Sequence, residues 1–227
     1  MYQELLRRIE NAGLVDFGNI FQRSIDLFKK TWSQGLIFTL ITIAITIPLI
    51  LLIYIPFLGT LIENPRAFEE GDVSPAMIIM MAIFFLVAMV IISVLSFAMT
   101  AAFFRMVKNI DHHGDKGTDS FFMFLKGDHL KKSIVLSLAT VGISLLAALA
   151  CYIPLIYVMV PLQFFALFFA FHSDLSTKEI IKLSFKLGNK KWFVLFGLIF
   201  VSSILAQLVG MLLCFVGIFF TASFIYL

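Results

Sequence analysis

Polar and apolar positions in this chain alternate over tens of residues. The 17 Lys and Arg and the 14 Asp and Glu all fall in four blocks, 4–30, 63–72, 105–132 and 174–191. Between them lie uncharged runs at 31–62, 73–104, 133–173 and 192–227. A helix rises about 1.5 Å per residue, so about 20 residues cross a hydrocarbon core of about 30 Å. Runs 31–62 and 73–104 therefore predict one span each, the first kinked where Pro48 and Pro56 remove backbone donors. Run 133–173 is too long for one span, and "CYIPL" at 151–155 near its middle predicts a tight helical hairpin. Run 192–227 is predicted to turn over around "VGMLLCFVG" at 209–217, giving a short sixth helix. If Gly210–Gly217 is re-entrant instead, five spans and a half-helix remain.

The expected fold is all-α: a polytopic membrane bundle of about six helices in three hairpins, forming one domain over 1–227. Its parts are an amphipathic segment 1–30, a hairpin 31–104, a connector 105–132, a hairpin 133–173, a connector 174–191 and a hairpin 192–227. Composition agrees: 61% of the 227 residues are hydrophobic and 14% charged, with a mean hydropathy of +1.02, far from a soluble domain. The first uncharged run follows some 30 residues that include Glu4, Glu10, Asp16 and Asp26. That pattern does not fit a cleaved signal peptide. The net charge of +3 is small, and its basic residues flank apolar runs, which argues against nucleic acid as a partner.

Basic residues set the expected orientation. Block 63–72 holds Arg66 alone against Glu63, Glu69, Glu70 and Asp72, whereas the other three blocks are rich in Lys and Arg. Positive residues stay on the cytoplasmic side, so the N-terminus is expected there, in a bacterial inner membrane. Each basic block also predicts an amphipathic helix. The first shows Tyr2, Leu5, Leu6 and Ile9, then Phe17, Ile20, Phe21, Ile25 and Phe28. The second offers Thr118, Asp119 or Ser120 as an N-cap before Phe121, Phe122, Phe124 and Leu125. The third offers Ser176 or Thr177 before Ile180, Ile181, Leu183 and Leu187. Each block ends in paired lysines: Lys29-Lys30, Lys131-Lys132 and Lys190-Lys191.

"SIDLFKKTW" at 24–32 and "SFKLGNKKW" at 184–192 share Ser, Leu, Lys and Trp at the same offsets. The expected reading is an interfacial elbow, with lysines on anionic headgroups and Trp32 and Trp192 one step deeper.

Candidate chemistry is sparse. "DHHGD" at 111–115 offers His112 and His113 beside two Asp, residue types suited to a divalent metal, although a solvated turn around Gly114 is the default expectation. Cys151 and Cys214 fall near the turns of the second and third hairpins and are read as packing residues, with a disulfide as the alternative. No charged residue lies within the apolar runs, which removes the usual markers of proton- or ion-coupled transport. The strongest polar groups there are Gln163 and Gln207, a possible midplane site whose plainer use is an interhelical hydrogen bond. Small residues at four-residue spacing (Ala98 with Ala102; Thr140, Ser144 and Ala148; Ser202, Ala206 and Gly210) predict close helix packing. No cofactor and no enzymatic activity are expected.

"FQRSIDLFKKTW", "FFRMVKNIDHHGDKGTDSFFMF" and "LSFKLGNKKWFVLFGLIF" with "LLCFVGIFFTASF" together resemble a group of bacterial six-helix membrane proteins. The group includes the membrane domain attached to some glycerophosphodiester phosphodiesterases. That resemblance implies six helices and a membrane address, but not the phosphodiesterase chemistry, which belongs to a separate soluble domain. The expected function is a non-enzymatic scaffold or accessory subunit that packs against membrane lipids and against other membrane proteins or itself. The alternative is a carrier or flippase-like protein for an apolar or amphipathic solute or lipid.

Overall fold

The structure is a computed structural model that describes residues 1–13, 16–63, 74–114, 121–150, 152–212 and 216–227. Among them every regular element is helical: α1 (Tyr2–Asn11), α2 (Phe17–Ile53), α3 (Ile55–Glu63), α4 (Pro75–His113), α5 (Gly127–Leu149), α6 (Ile153–Phe171), α7 (Thr177–Lys190), α8 (Trp192–Leu212) and α9 (Val216–Thr221). Two 3₁₀ turns, Met123–Leu125 and Ala222–Tyr226, complete the described set. Five of these helices, α2, α4, α5, α6 and α8, are long and apolar enough to cross a membrane. The protein is a multi-pass helical membrane bundle.

Local chemistry sets the helix ends. Asp16 caps α2 by accepting from the Gly18 N–H at 3.1 Å, and Ser74 caps α4 through Met77 with Pro75 in the first turn. α4 stops at Gly114, whose φ of 66° is costly for side-chain-bearing residues. α7 opens with a full capping box: Ser176 Oγ accepts from the Glu179 N–H while the Glu179 carboxylate accepts from the Ser176 N–H at 2.9 Å. The predicted hairpin in run 133–173 is present, with α5 ending at Leu149 and α6 starting at Ile153. In the first run the helix passes through Pro48 and breaks at Tyr54, beside Pro56, whose missing donor prevents one continuous helix. The last run returns only as the six-residue α9 and a 3₁₀ turn, closer to a half-helix than to a sixth span.

Two expectations change, and a third holds. The first elbow is absent, because α2 runs unbroken through Lys29, Lys30 and Trp32. In the second block Met123–Leu125 is a 3₁₀ turn rather than an amphipathic helix. Its Phe124 is fully buried, and its carbonyl accepts from Ser133 Oγ at 3.0 Å. Its proposed caps, Thr118, Asp119 and Ser120, lie outside the described residues. In the third block the chain does turn at Lys191, between α7 and α8.

α7 then runs back along α6. A Cβ added to Gly188 would lie 2.9 Å from the Pro161 backbone, and Trp192 Nε1 donates to the Tyr157 carbonyl at 3.0 Å. The apolar face of α7 is therefore spent on protein, with Ile180 and Leu183 fully buried.

The core gathers in one half of the molecule. Ala98, Ala101, Ala102, Phe165, Phe169 and Leu136 join α4, α5 and α6. Phe38, Met99 and Phe103 join α2 to α4, with Phe38 and Phe103 stacked at 4.8 Å. The final turn plugs this region. Tyr226 meets Phe38, Phe103 and Phe104 edge-on, and Ser24 Oγ donates to the Leu227 carbonyl at 3.1 Å. Gly35 is required at its contact with the plug, since a Cβ there would fall 2.0 Å from Ser223 Oγ.

Candidate functional site: a hydroxyl-lined cavity around Gln163

The three lysine pairs find protein partners. Lys30 Nζ lies 3.0 Å from Asp111, which Arg23 also approaches at 3.6 Å. Lys29 pairs with Asp26 one turn earlier at 3.3 Å. Lys132 donates to the carbonyls of Ser173 (2.6 Å) and Leu175 (3.0 Å), tying α5 to the α6–α7 loop, while Lys131 is exposed. Lys190 donates to the Ile9 and Glu10 carbonyls, and Lys191 to those of Ala12 and Gly13. Together with the Lys186–Glu10 ion pair, which lowers the Glu10 pKa, they hold the C-terminal end of α1. The orphan carbonyls at a helix C-terminus attract cations.

The lysine pairs therefore lie at two places along α6. Lys132 sits past its C-terminal end, whereas Lys190 and Lys191 lie beside Pro161 and Tyr157. Trp192 stacks on Phe196 at 4.9 Å, and Trp32 is exposed, facing Phe220 at 6.1 Å.

Within the apolar helices the polar side chains converge. A cavity of about 390 Å³ opens between α4, α5 and α6, with Ser93, Ser96 and Thr100 on the first, Ser137 and Thr140 on the second, and Gln163 on the third. Tyr226 closes one end, and Phe97, Met159 and Leu162 complete an apolar wall. Thr100 stands about 7 Å along the helix from Arg105, and Ser93 about 18 Å, at 1.5 Å per residue. Four of the five hydroxyls donate to their own helix: Ser93 to Val90 (2.8 Å), Thr100 to Ser96 (2.8 Å), Ser137 to Ile134 (3.0 Å) and Thr140 to Leu136 (2.9 Å). Such back-bonding is how hydroxyls are tolerated in apolar helices. It uses the protons and leaves oxygen lone pairs facing the cavity. Neither the Gln163 amide nor the Tyr226 hydroxyl hydrogen-bonds to any of the described residues.

Two further cavities adjoin this one. A space of about 200 Å³ shares Gln163 and Tyr226 and reaches Ser24, Ser202 and Leu227. A third, of about 250 Å³, shares Tyr226 and Leu227 and holds Lys108, Asp111 and His112. Tyr226 is thus a common wall between an uncharged intramembrane cavity and a charged mouth. Lys108 Nζ, at that mouth, lies 4.7 Å over the Phe171 ring.

Gln163 and Gln207, the possible midplane site, do not line one cavity. Gln207 is exposed on α8 and lines none of these cavities. Nor do Asp111 and His112 gather a metal-ligand set: among the described residues no group of three potential ligands occurs, and Asp111 is engaged by Lys30 and Arg23. The His113 side chain, Asp115, Cys151 and Cys214 lie outside the described residues. Of the small-residue seams, Ala98–Ala102 and Ser202–Ala206–Gly210 are buried within the chain. The second closes against the final segment, where Thr221 Oγ1 donates to the Ala206 carbonyl at 2.8 Å.

Two features escaped the sequence reading. Of the cavity hydroxyls on α4 and α5 only Thr140 was visible, as a small residue in a seam, and Tyr226 was not singled out. Compared with known protein families, characterised proteins and solved structures, the chain shows no significant match, so none identifies the six-helix group that its motifs resemble.

Proposed function

We propose that this multi-pass membrane protein is non-enzymatic and works as a carrier or flippase-like protein for an amphipathic solute or lipid, with Gln163 at the centre of its site. The observation that carries the reading is the unpartnered Gln163 amide in the wall shared by two cavities, with a charged cavity on the other side of Tyr226. Gln163 is exposed in the bundle, and a polar amide that faces an apolar medium without a partner costs free energy. A ligand headgroup is a natural partner, and the volume is in the range of small-molecule sites. Acyl chains have an exit, since the lining helices open directly onto apolar surroundings.

In this reading the basic end faces the cytoplasm of a bacterial inner membrane, with exposed Lys29 and Lys131 near anionic headgroups. The test is a leaflet-exchange assay in proteoliposomes with a fluorescent amphipathic lipid. Wild-type protein should accelerate exchange, and Gln163→Leu should slow it about tenfold, the scale of one or two lost hydrogen bonds. An unaccelerated rate with well-folded protein rejects the proposal.

A second reading, scaffold or accessory subunit, is favoured by a separate observation. Ile83 to Val87 of α4 are exposed on every face of the helix, which leaves room for another membrane protein or a second copy. A stoichiometric partner retained in mild detergent and released by Phe84→Ala with Phe85→Ala would support it.

A further inference from the structure

The geometry points to an uncharged ligand headgroup rich in hydrogen-bond donors, of the kind carried by a mono- or diacylglycerol, as the occupant of the α4–α5–α6 cavity. This rests on the reading above and names the chemical class that its site selects. Four hydroxyl protons already point back to helix carbonyls at 2.8–3.0 Å. The oxygens of Ser93, Thr100, Ser137 and Thr140 therefore face the cavity as acceptors. Gln163 adds one amide oxygen and one NH₂ group, and Tyr226 one hydroxyl. The lining has more acceptors than donors and carries no formal charge.

A phosphate or carboxylate head would bring more acceptors and a net negative charge into this space. It would meet lone pairs instead of donors, and no cation lines the cavity to offset its desolvation. Lys108 belongs to the third cavity, across Tyr226. An ammonium head would find acceptors but no carboxylate, and would pay the cost of an unpaired charge within an apolar bundle. A hydroxyl-bearing neutral head satisfies both constraints: its protons meet the free lone pairs, and its own oxygens accept from Gln163 and Tyr226. The apolar wall of Phe97, Met159 and Leu162 suits the first carbons of an attached chain.

The experiment compares two photoactivatable probes with identical acyl chains, a diacylglycerol and the corresponding phosphatidic acid. The full chain is held in phosphatidylcholine nanodiscs, and labelled peptides are identified by mass spectrometry. The diacylglycerol should label segments 93–100, 137–141 and 159–166 about tenfold more than phosphatidic acid does, with unlabelled monoacylglycerol competing. Gln163→Leu and, separately, Thr140→Val should each reduce that labelling with an unchanged unfolding temperature. Equal or stronger labelling by phosphatidic acid overturns the neutral-head assignment and leaves amphipath binding standing. No labelling by either probe, or labelling indifferent to both substitutions, overturns the site itself.

Discussion

The two halves of the α2–α4 pair have nearly the same apolar composition and opposite surroundings. Toward the basic end, Phe38, Met99 and Phe103 are enclosed by the final turn, and nearby Ala98 and Ala101 pack against α6. Toward the other end, the residues from Pro75 to Val87 leave no side chain buried, and Phe85 is 53% exposed where Phe103 is 0% exposed. Among lipid tails, which are as apolar as Leu, hydrophobicity gives helices no reason to associate. What distinguishes the halves is close approach and polar strapping: small residues at Gly35, Ala98 and Ala102, and side-chain bonds such as Ser24 to Leu227 and Lys30 to Asp111. Among the described residues, Pro75 to Val87 of α4 contribute no buried small residue.

The sharpest way to test this contrast is a matched pair of truncations. Phe103→Ala removes about 100 Å³ of enclosed side chain, which at about 24 cal/mol per Å³ of cavity costs about 2–3 kcal/mol, because the transfer contribution largely cancels in lipid. Phe85→Ala should cost less than about 0.5 kcal/mol, as for other exposed positions. Unfolding of both variants in mixed micelles measures the difference, and equal losses would mean that the outer half is packed in the membrane.

Overpacking should have a somewhat smaller effect. Gly188→Val places carbon against the Pro161 ring and backbone, where the clearance for a Cβ is 2.9 Å. It should destabilise by about 1–3 kcal/mol, chiefly by parting α7 from α6. Gly142→Val, with nothing within 4 Å of its added Cβ, is the control, and intramolecular crosslinking between 157 and 189 reports the separation.

The smallest and most local effect concerns α1. Lys190→Met with Lys191→Met removes the donors that hold the carbonyls of Ile9, Glu10, Ala12 and Gly13. The expected outcome is faster amide exchange over residues 2–11 with little change elsewhere. Acid should act in the same direction through the Lys186 pair. The Glu10 pKa is depressed below its ordinary 4.5 by Lys186, so its contribution is present above pH 4.5 and is lost as pH falls through the folded value. His172 begins earlier: burial lowers its pKa from 6.5, so protonation below that value opposes the packing at the end of α6. Exchange over α1 that is insensitive to both lysines and acid would show that apolar burial of Ile9 alone holds it.

The sequence reached unequally into this structure. The hairpin around 151–155 and a cap at Ser176 or Thr177 follow from nearest-neighbour chemistry; the hairpin is present and Ser176 is the cap. The apolar runs were legible because charge is excluded from oil. The lysine pairs were legible as cationic junctions, but not by partner, since an ammonium donates to a phosphate oxygen and to a helix-end carbonyl on similar terms. Trp32 and Trp192 share an offset in sequence and little else: one faces Phe220 on an unbroken helix, the other caps a chain reversal on Tyr157. Gln163 stood out in an apolar run, as did Gln207. Both are exposed, and only packing placed the first in a cavity wall.

By itself, then, the chain determined which long segments are helical and belong in an apolar medium and where several of them stop, because those depend on backbone donors, turn residues and the local cost of charge. The tertiary structure decided that Ser93, Thr140, Gln163 and Tyr226, from four separated segments, face one cavity, and that one half of the α2–α4 pair is core while the other is bare. Both depend on how closely helices approach one another, a property of facing surfaces that no single segment carries.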